Sequence, residues 1–79
     1  MDAAPSQAQI DAAVARAAAA LRRASPDPGR VLALPYTPAE AEATRGADGW
    51  CEVGAVIDGR RGRACLVRWH PARGGRLAC

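Results

Sequence analysis

The chain has 79 residues, about half of them hydrophobic, and a formal net charge of +3. A chain of this length builds one small domain over residues 1–79, with a thin core and room for one functional site. No apolar run approaches the roughly 20 residues that cross a bilayer, and the N-terminus is unlike a secretion signal, so we expect a cytoplasmic protein with no membrane partner.

The first predicted element is an amphipathic helix over residues 6–24. Its apolar residues recur at spacings of three and four and form one stripe: Ile10, Val14, Ala17, Leu21 and Ala24. Ser6 and Gln9 fit a capping box, and Arg22 and Arg23 lie where the helix dipole favours cations. Because alanine buries little area, this stripe needs a flat partner such as a β-sheet.

A loop and an edge strand follow. Two prolines and a glycine within residues 25–29 end the helix. Residues 30–36 alternate between two faces, with Leu32, Leu34 and Tyr36 on one and Val31 and Ala33 on the other. Pro35 lacks the backbone donor that a central strand needs, so the pattern predicts an edge strand.

A short second helix is predicted over residues 38–45. Thr37 provides an N-cap, Pro38 occupies the first helical position, and Glu40 stands three residues after the cap. Gly46 then ends the helix.

The C-terminal half predicts a β-hairpin with strands at residues 50–58 and 63–69. Arg60-Arg61-Gly62 forms a three-residue turn with glycine in the left-handed position, and this loop fixes the register. The face expected to pack on the first helix carries Cys51, Val53, Ala55 and Ile57 together with Cys65, Val67 and Trp69. The outer face is expected to carry Trp50, Glu52 and Val56 together with Leu66 and Arg68.

Residues 71–79 form a tail rich in glycine and arginine that either adds a short strand at 76–79 or stays mobile. The elements together predict an α+β fold in two layers. A long N-terminal helix packs on a three-stranded antiparallel sheet, with a short connecting helix between the first strand and the hairpin.

The cysteines and the histidine give no strong metal or catalytic motif. Cys51, Cys65, His70 and Cys79 lack the close pairing typical of zinc sites. We interpret Cys51 and Cys65 as small apolar core residues and Cys79 as a loose terminal thiol in a reducing compartment, because three cysteines do not make a disulfide framework. His70 has no nucleophile or phosphate cradle beside it, so we expect no enzyme, no cofactor and no metal.

The charge pattern points to the C-terminal half. All eleven basic residues are arginine, and residues 46–79 hold six of them against three acids, so the whole net charge lies there. A GC-rich coding genome also favours arginine over lysine, but it does not explain this position. Arginine is suited to bidentate pairing with carboxylate or phosphate, which indicates a binding module.

Two kinds of partner fit these residues, a protein and a nucleic acid. Arginine and tryptophan are enriched at protein interface hot spots, and an arginine-tipped hairpin is equally suited to a nucleic-acid groove. The predicted partner-binding residues are Arg60, Arg61 and Arg63 at the hairpin tip, Arg68 and Trp50 on the outer face, and Arg73 and Arg76 on the tail.

In size and composition over its whole length, this compact, arginine-rich, motif-poor chain resembles small inhibitors of phages and mobile elements, in particular type I anti-CRISPR proteins. The resemblance implies inhibition by occupancy: a non-enzymatic protein binds a subunit of a CRISPR surveillance complex and blocks target-DNA binding or nuclease recruitment. Many such inhibitors are acidic, whereas this chain is positively charged, so contact with acidic patches or with nucleic acid is expected. The alternative is a small nucleic-acid-binding accessory or regulatory protein. We expect a monomer.

Overall fold

The computed structural model describes residues 4–79, in which a long helix and a short helix contact one sheet. The elements are α1 (Gln7–Ala24), a 3-10 turn (Pro28–Arg30), β1 (Val31–Pro35), α2 (Pro38–Ala43), β2 (Cys51–Asp58), β3 (Arg63–His70) and β4 (Gly74–Ala78). The strands form one antiparallel sheet in the order β1-β2-β3-β4. The α+β class is confirmed, but the sheet has four strands rather than the predicted three.

Both helices begin at the predicted capping boxes. The Ser6 hydroxyl accepts from the Gln9 backbone N–H at 3.1 Å, and the Gln9 side chain accepts from the Ser6 N–H at 2.9 Å. Thr37 and Glu40 repeat this exchange at 3.2 and 2.9 Å. Each box satisfies backbone donors that the first helical turn leaves without partners. Helix α2 ends at Ala43, two residues earlier than predicted.

Helix α1 lies against the core face of the sheet. It buries Ile10, Val14, Ala17 and Ala18. Ala18, four residues after Val14, takes a buried position, whereas Ala24 is the last helical residue and is exposed, contrary to prediction. The Arg22 guanidinium donates to the Val31 carbonyl at 3.0 Å and ties the end of α1 to the start of β1.

A β-bulge in β2 changes which residues face the helix. The register with β3 shifts between Glu52 and Gly54, so Val53 and Gly54 occupy the space opposite a single residue, Val67. A bulge of this kind adds one residue to a strand and reverses the inward and outward alternation beyond it. Val53 in the bulge and Val56 beyond it are therefore both fully buried.

The predicted faces of β2 are wrong beyond the bulge. The loop between β2 and β3 spans four residues, 59–62, rather than three. Gly62 has the positive φ that the sequence predicts, with a value of 62°. Val56 therefore pairs with Cys65 in the core instead of lying outside. The residues that move to the outer face are Ala55 and Ile57.

The tail is ordered by pairing with β3. Strand β4 continues the sheet, and Leu66 pairs with Ala78, which brings the next residue, Cys79, beside Cys65. A disulfide joins Cys65 to Cys79, so the prediction of a loose Cys79 thiol is wrong. The cause is the pairing of β4, which the cysteine count does not reveal. Cys51 is free and buried, and burial raises the pKa of its thiol.

Within residues 4–79, no helix is long and apolar enough to span a membrane.

Candidate functional site

The sheet face opposite α1 presents exposed leucines. Leu32, Leu34 and Leu66 are 55%, 46% and 38% exposed. Leu32 pairs with Ile57 and Leu34 with Ala55, and Ala55 also pairs with Leu66. These five side chains form a continuous surface across β1, β2 and β3, which we call the apolar patch. Covering apolar side chains grouped in this way with a partner is energetically favourable.

At one end of the same face, arginine and histidine side chains surround Trp50. The guanidinium carbons of Arg68 and Arg76 lie 5.7 and 5.1 Å from the centroid of its ring. The ring centroid of His70 lies 5.3 Å away, with the two ring planes at 52°. These distances are typical of cation–π and tilted aromatic contacts. We call Trp50, Arg68, His70 and Arg76 the Trp50 cluster.

A tight turn before β2 holds Trp50 in place. The Gly46 N–H donates to the Trp50 carbonyl at 2.9 Å, and the Trp50 N–H donates to Asp48 Oδ1 at 3.1 Å. Gly49 has a φ of 86°, and a Cβ at this position would lie 2.9 Å from His70 Nε2. Glycine at residue 49 therefore serves both the turn and the close packing of the His70 ring.

The orientation of His70 is fixed by a backbone hydrogen bond. Its Nδ1 accepts from the Ala72 N–H at 3.0 Å. A nitrogen that accepts carries no proton, so in the neutral ring the proton lies on Nε2. The bond closes the turn between β3 and β4, where the Arg73 N–H also donates to the His70 carbonyl at 3.1 Å.

Three charged residues lie in one row across the strands beside Trp50. Glu52 of β2 pairs with Arg68 of β3, which pairs with Arg76 of β4. Within residues 4–79, the ion pairs are Arg30–Asp27, Arg45–Glu42 and Arg61–Asp58. Neither Arg68 nor Arg76 is therefore neutralised by an ion pair within the described residues.

The apolar patch and the Trp50 cluster are parts of one surface. Leu66 and Arg68 are two residues apart on β3 and point to the same side, as do Ala78 and Arg76 on β4. Such neighbours are separated by about 7 Å along a strand. We call the combined surface the outer face.

The hairpin tip is a separate cationic site. Arg60, Arg61 and Arg63 are exposed. Arg63 and Arg68 are five residues apart on β3, a separation of about 17 Å along a strand. The seven predicted binding residues therefore do not form one site.

Beneath the tip lies a buried carboxylate. Asp58 is 3% exposed, its Oδ2 lies 3.9 Å from Arg61 Nε, and its Oδ1 has no hydrogen-bond partner within the described part of the chain. A buried carboxylate needs a compensating charge. Among the described residues Arg61 is the ion-pair partner of Asp58, whereas Arg60 and Arg63 form no ion pair there.

Arg73 is exposed in the turn between β3 and β4, at the end of the sheet that carries Trp50. Of the predicted residues, the structure brings together Trp50, Arg68 and Arg76. The sequence prediction omitted His70, although Leu66, Arg68 and His70 alternate along β3 and so share a face. It also omitted Leu32 and Leu34, because alternation alone does not say which face of an edge strand is covered.

A shallow groove of about 350 Å³ lies between α1 and β4. Its walls are mostly alanine, glycine and the edge of Trp69, with Arg16 among the lining side chains. Its polar lining residues are Gln9, Arg16 and Arg76. Among the described residues, no three histidine, cysteine or acidic side chains are grouped so that they could hold a metal ion.

The outer face thus combines exposed leucines, a tryptophan and two arginines that form no ion pair within residues 4–79. Comparison of the chain with protein-family models, with curated proteins and with solved structures found no match.

Proposed function

We propose that this protein is a non-enzymatic binding protein that holds a protein partner on the outer face of its sheet. The observation that carries the proposal is the continuity of the apolar patch with the Trp50 cluster. Leu34 and Leu66 are 46% and 38% exposed, and Leu66 is a near neighbour of Arg68. Interface hot spots combine buried aromatic and arginine anchors with a desolvated apolar surround, and this surface offers both.

A protein partner suits this face better than a nucleic acid. Burying leucine side chains against an apolar surface is favourable, and a phosphate backbone offers no such surface. The row of charges beside Trp50 also contains Glu52, whose carboxylate repels phosphates. A protein can place an acidic group at Arg68 and apolar groups on Leu66 and its neighbours.

The narrower proposal is inhibition of a CRISPR surveillance complex by occupancy of a subunit surface, which would block target-DNA binding or nuclease recruitment. Its support is the resemblance in size and composition to type I anti-CRISPR proteins. This proposal also places the protein in the cytoplasm. Because disulfides are rare in the cytoplasm, this proposal requires the fold to persist with Cys65 and Cys79 reduced.

The test of partner binding compares two charge-matched double variants in affinity capture. Leu34→Glu with Leu66→Glu places two carboxylates in the apolar patch. Ala8→Glu with Ala15→Glu places the same charge on exposed positions of α1. A defined complex captured by the wild type and the α1 variant, and lost by the patch variant, supports the proposal. Equal capture by both variants contradicts it, provided circular dichroism shows both folded.

The CRISPR proposal needs a purified surveillance complex. The wild-type protein, in reduced and oxidised form, should prevent the complex from binding its target DNA or from recruiting its nuclease. The patch variant should not. If the complex functions normally with excess wild-type protein, this narrower proposal is wrong, while partner binding through the outer face stays open to the capture experiment.

A second candidate is nucleic-acid binding through the hairpin tip. The observation in its favour is that Arg60 and Arg63 are exposed and lie apart from the outer face. Binding of this kind falls steeply with added salt because it releases counterions from the phosphates. The captured nucleic acid should then be released by added salt or by nuclease. The double variant Arg60→Glu with Arg63→Glu should fail to capture it, whereas the patch variant should still do so.

A further inference from the structure

Arg68 and Arg76 form a like-charged pair directly across β3 and β4. Like charges at directly opposite positions destabilise a sheet, and side chains there are close enough to interact strongly. Neither arginine forms an ion pair within residues 4–79 that would offset this repulsion. An anion placed between the two guanidinium groups would remove it.

Contact with one indole ring also restricts the pair before any anion arrives. Both guanidinium carbons lie within 5.7 Å of the centroid of one indole ring, and Trp50 is fixed by the turn that begins at Gly46. Arginine presents its donors in a rigid fork that matches the two oxygens of a carboxylate. Two forks ordered by one ring therefore lose less conformational entropy on binding than two mobile arginines would.

We propose that Arg68 and Arg76 form an anion clamp that receives one carboxylate from the protein partner, with the Trp50 ring as its wall. This inference rests on the proposed function and names the chemistry of the partner. Leu66 and Ala78 each lie two residues from a clamp arginine on the same side of the sheet. The partner accordingly presents an acidic side chain about 7 Å from an apolar one, the spacing of alternate residues in an extended strand.

The position of Glu52 favours a single carboxylate over a polyanion. It pairs with Arg68 on the side away from Arg76, so the row runs from one negative charge to two positive charges. A nucleic acid following this row would bring its next phosphate toward the Glu52 carboxylate. One isolated anion over Arg68 and Arg76 avoids that repulsion.

The test is a titration that needs no natural partner. Protein labelled with nitrogen-15 is titrated with sodium acetate, with sodium phosphate and with an acetylated, amidated peptide of sequence Gly-Leu-Gly-Glu-Gly, at ionic strength held constant with sodium chloride. The arginine Nε–Hε signals report each guanidinium group. We expect the signals of Arg68 and Arg76 to shift together and saturably with acetate, and the peptide to bind at least tenfold more tightly than acetate.

Four variants make the titration decisive. Arg76→Gln should weaken peptide binding at least tenfold, and Glu52→Gln should strengthen it. Arg23→Gln removes an exposed arginine at the end of α1 and should leave peptide binding unchanged. In the wild type, the peptide with glutamine in place of glutamate should bind at least tenfold more weakly. Leu66→Ala should reduce the advantage of the peptide over acetate.

Three results would overturn the clamp. Non-saturable shifts that are equal at every arginine would show general ion screening instead of a site. Saturation by phosphate with no response to acetate or to the peptide would show a site for a phosphate group instead of a carboxylate. Equal binding of the glutamate and glutamine peptides would show that no carboxylate is recognised. If the titration contradicts the clamp but the patch variant still fails to capture the complex, the proposed function stands. The two failures are therefore distinguishable.

Discussion

Gly54 of β2 lies directly beneath Val14 of α1: a Cβ at Gly54 would stand 2.6 Å from Val14 Cγ2 and 2.6 Å from the Leu34 carbonyl oxygen. Helix α1 and the sheet approach each other here too closely for any side chain at residue 54. Gly54 also belongs to the bulge that reverses the alternation of β2. Gly54 thus lies both at the contact between the layers and in the bulge that determines which residues reach the outer face.

Gly54→Ala should destabilise the protein by about 3 kcal/mol, because an added methyl group forces the helix and the neighbouring strand apart. Urea unfolding followed by circular dichroism measures the change. Gly29→Ala is the matched control. Its nearest neighbour would be 3.8 Å from the new Cβ, so its effect should stay within about 0.5 kcal/mol. Equal stability of the two variants would contradict the close contact.

The bulge also explains what the sequence could and could not predict about the faces. Local signals predicted the helices, the edge strand and the hairpin, because capping boxes, proline and the glycine turn act over three or four residues. The face of Val56 depends on an extra residue at Val53, and nothing in the alternating pattern marks that residue. Gly54 is a cue for a bulge or a close approach, but it does not say which neighbouring residue is the extra one.

The candidate site shows the same division. Alternation predicts Trp50 and Arg68 on the outer face, and they lie there because the bulge does not come between them and the strand ends they share. Arg76 joins them only through the pairing of β4, a contact between distant parts of the chain. The exposure of Leu32 and Leu34 depends on which side of the sheet α1 covers. Such long-range choices are made by packing of the whole chain, which local propensity does not encode.

Reduction of the Cys65–Cys79 disulfide should lower the stability of the protein. The bond closes a loop with a sequence separation of 14 residues. A loop of this size contributes about 3 kcal/mol, chiefly by restricting the unfolded chain. Urea unfolding with and without dithiothreitol measures this loss. The Cys79→Ser variant should unfold as the reduced wild type does and should not respond to the reductant. An identical midpoint for reduced and oxidised wild type would show that the bond contributes nothing.

Stability should also fall in mild acid through the capping box of α2. Hydrogen bonds from Thr37, the backbone N–H first, hold the pKa of the Glu40 carboxyl below its ordinary value. The unfolded state therefore binds a proton more readily than the folded state. The contribution is present above the unfolded pKa of about 4.3 and is lost as the pH falls through the lower folded value.

Glu40→Gln checks this expectation because glutamine keeps an oxygen that accepts the Thr37 N–H and does not titrate. The midpoint of urea unfolding, measured between about pH 6 and pH 3, should fall less steeply for the variant than for the wild type. Glu42, whose carboxyl pKa is lowered by the hydrogen bond from Arg45, keeps part of the slope in both proteins. Parallel curves would exclude a role for Glu40 in the acid response.

The two tryptophans should differ sharply in their access to a quencher. Trp69 is 8% exposed and packs in the core beneath α1, whereas Trp50 lies half-buried on the outer face among arginines. In Trp50→Phe, the remaining fluorescence comes from Trp69 and should be quenched by acrylamide only weakly, because the quencher must reach a buried ring. The wild type should show a second, more accessible component. If the variant is quenched as strongly as free tryptophan, then α1 does not cover Trp69, and the assignment of the outer face is reversed.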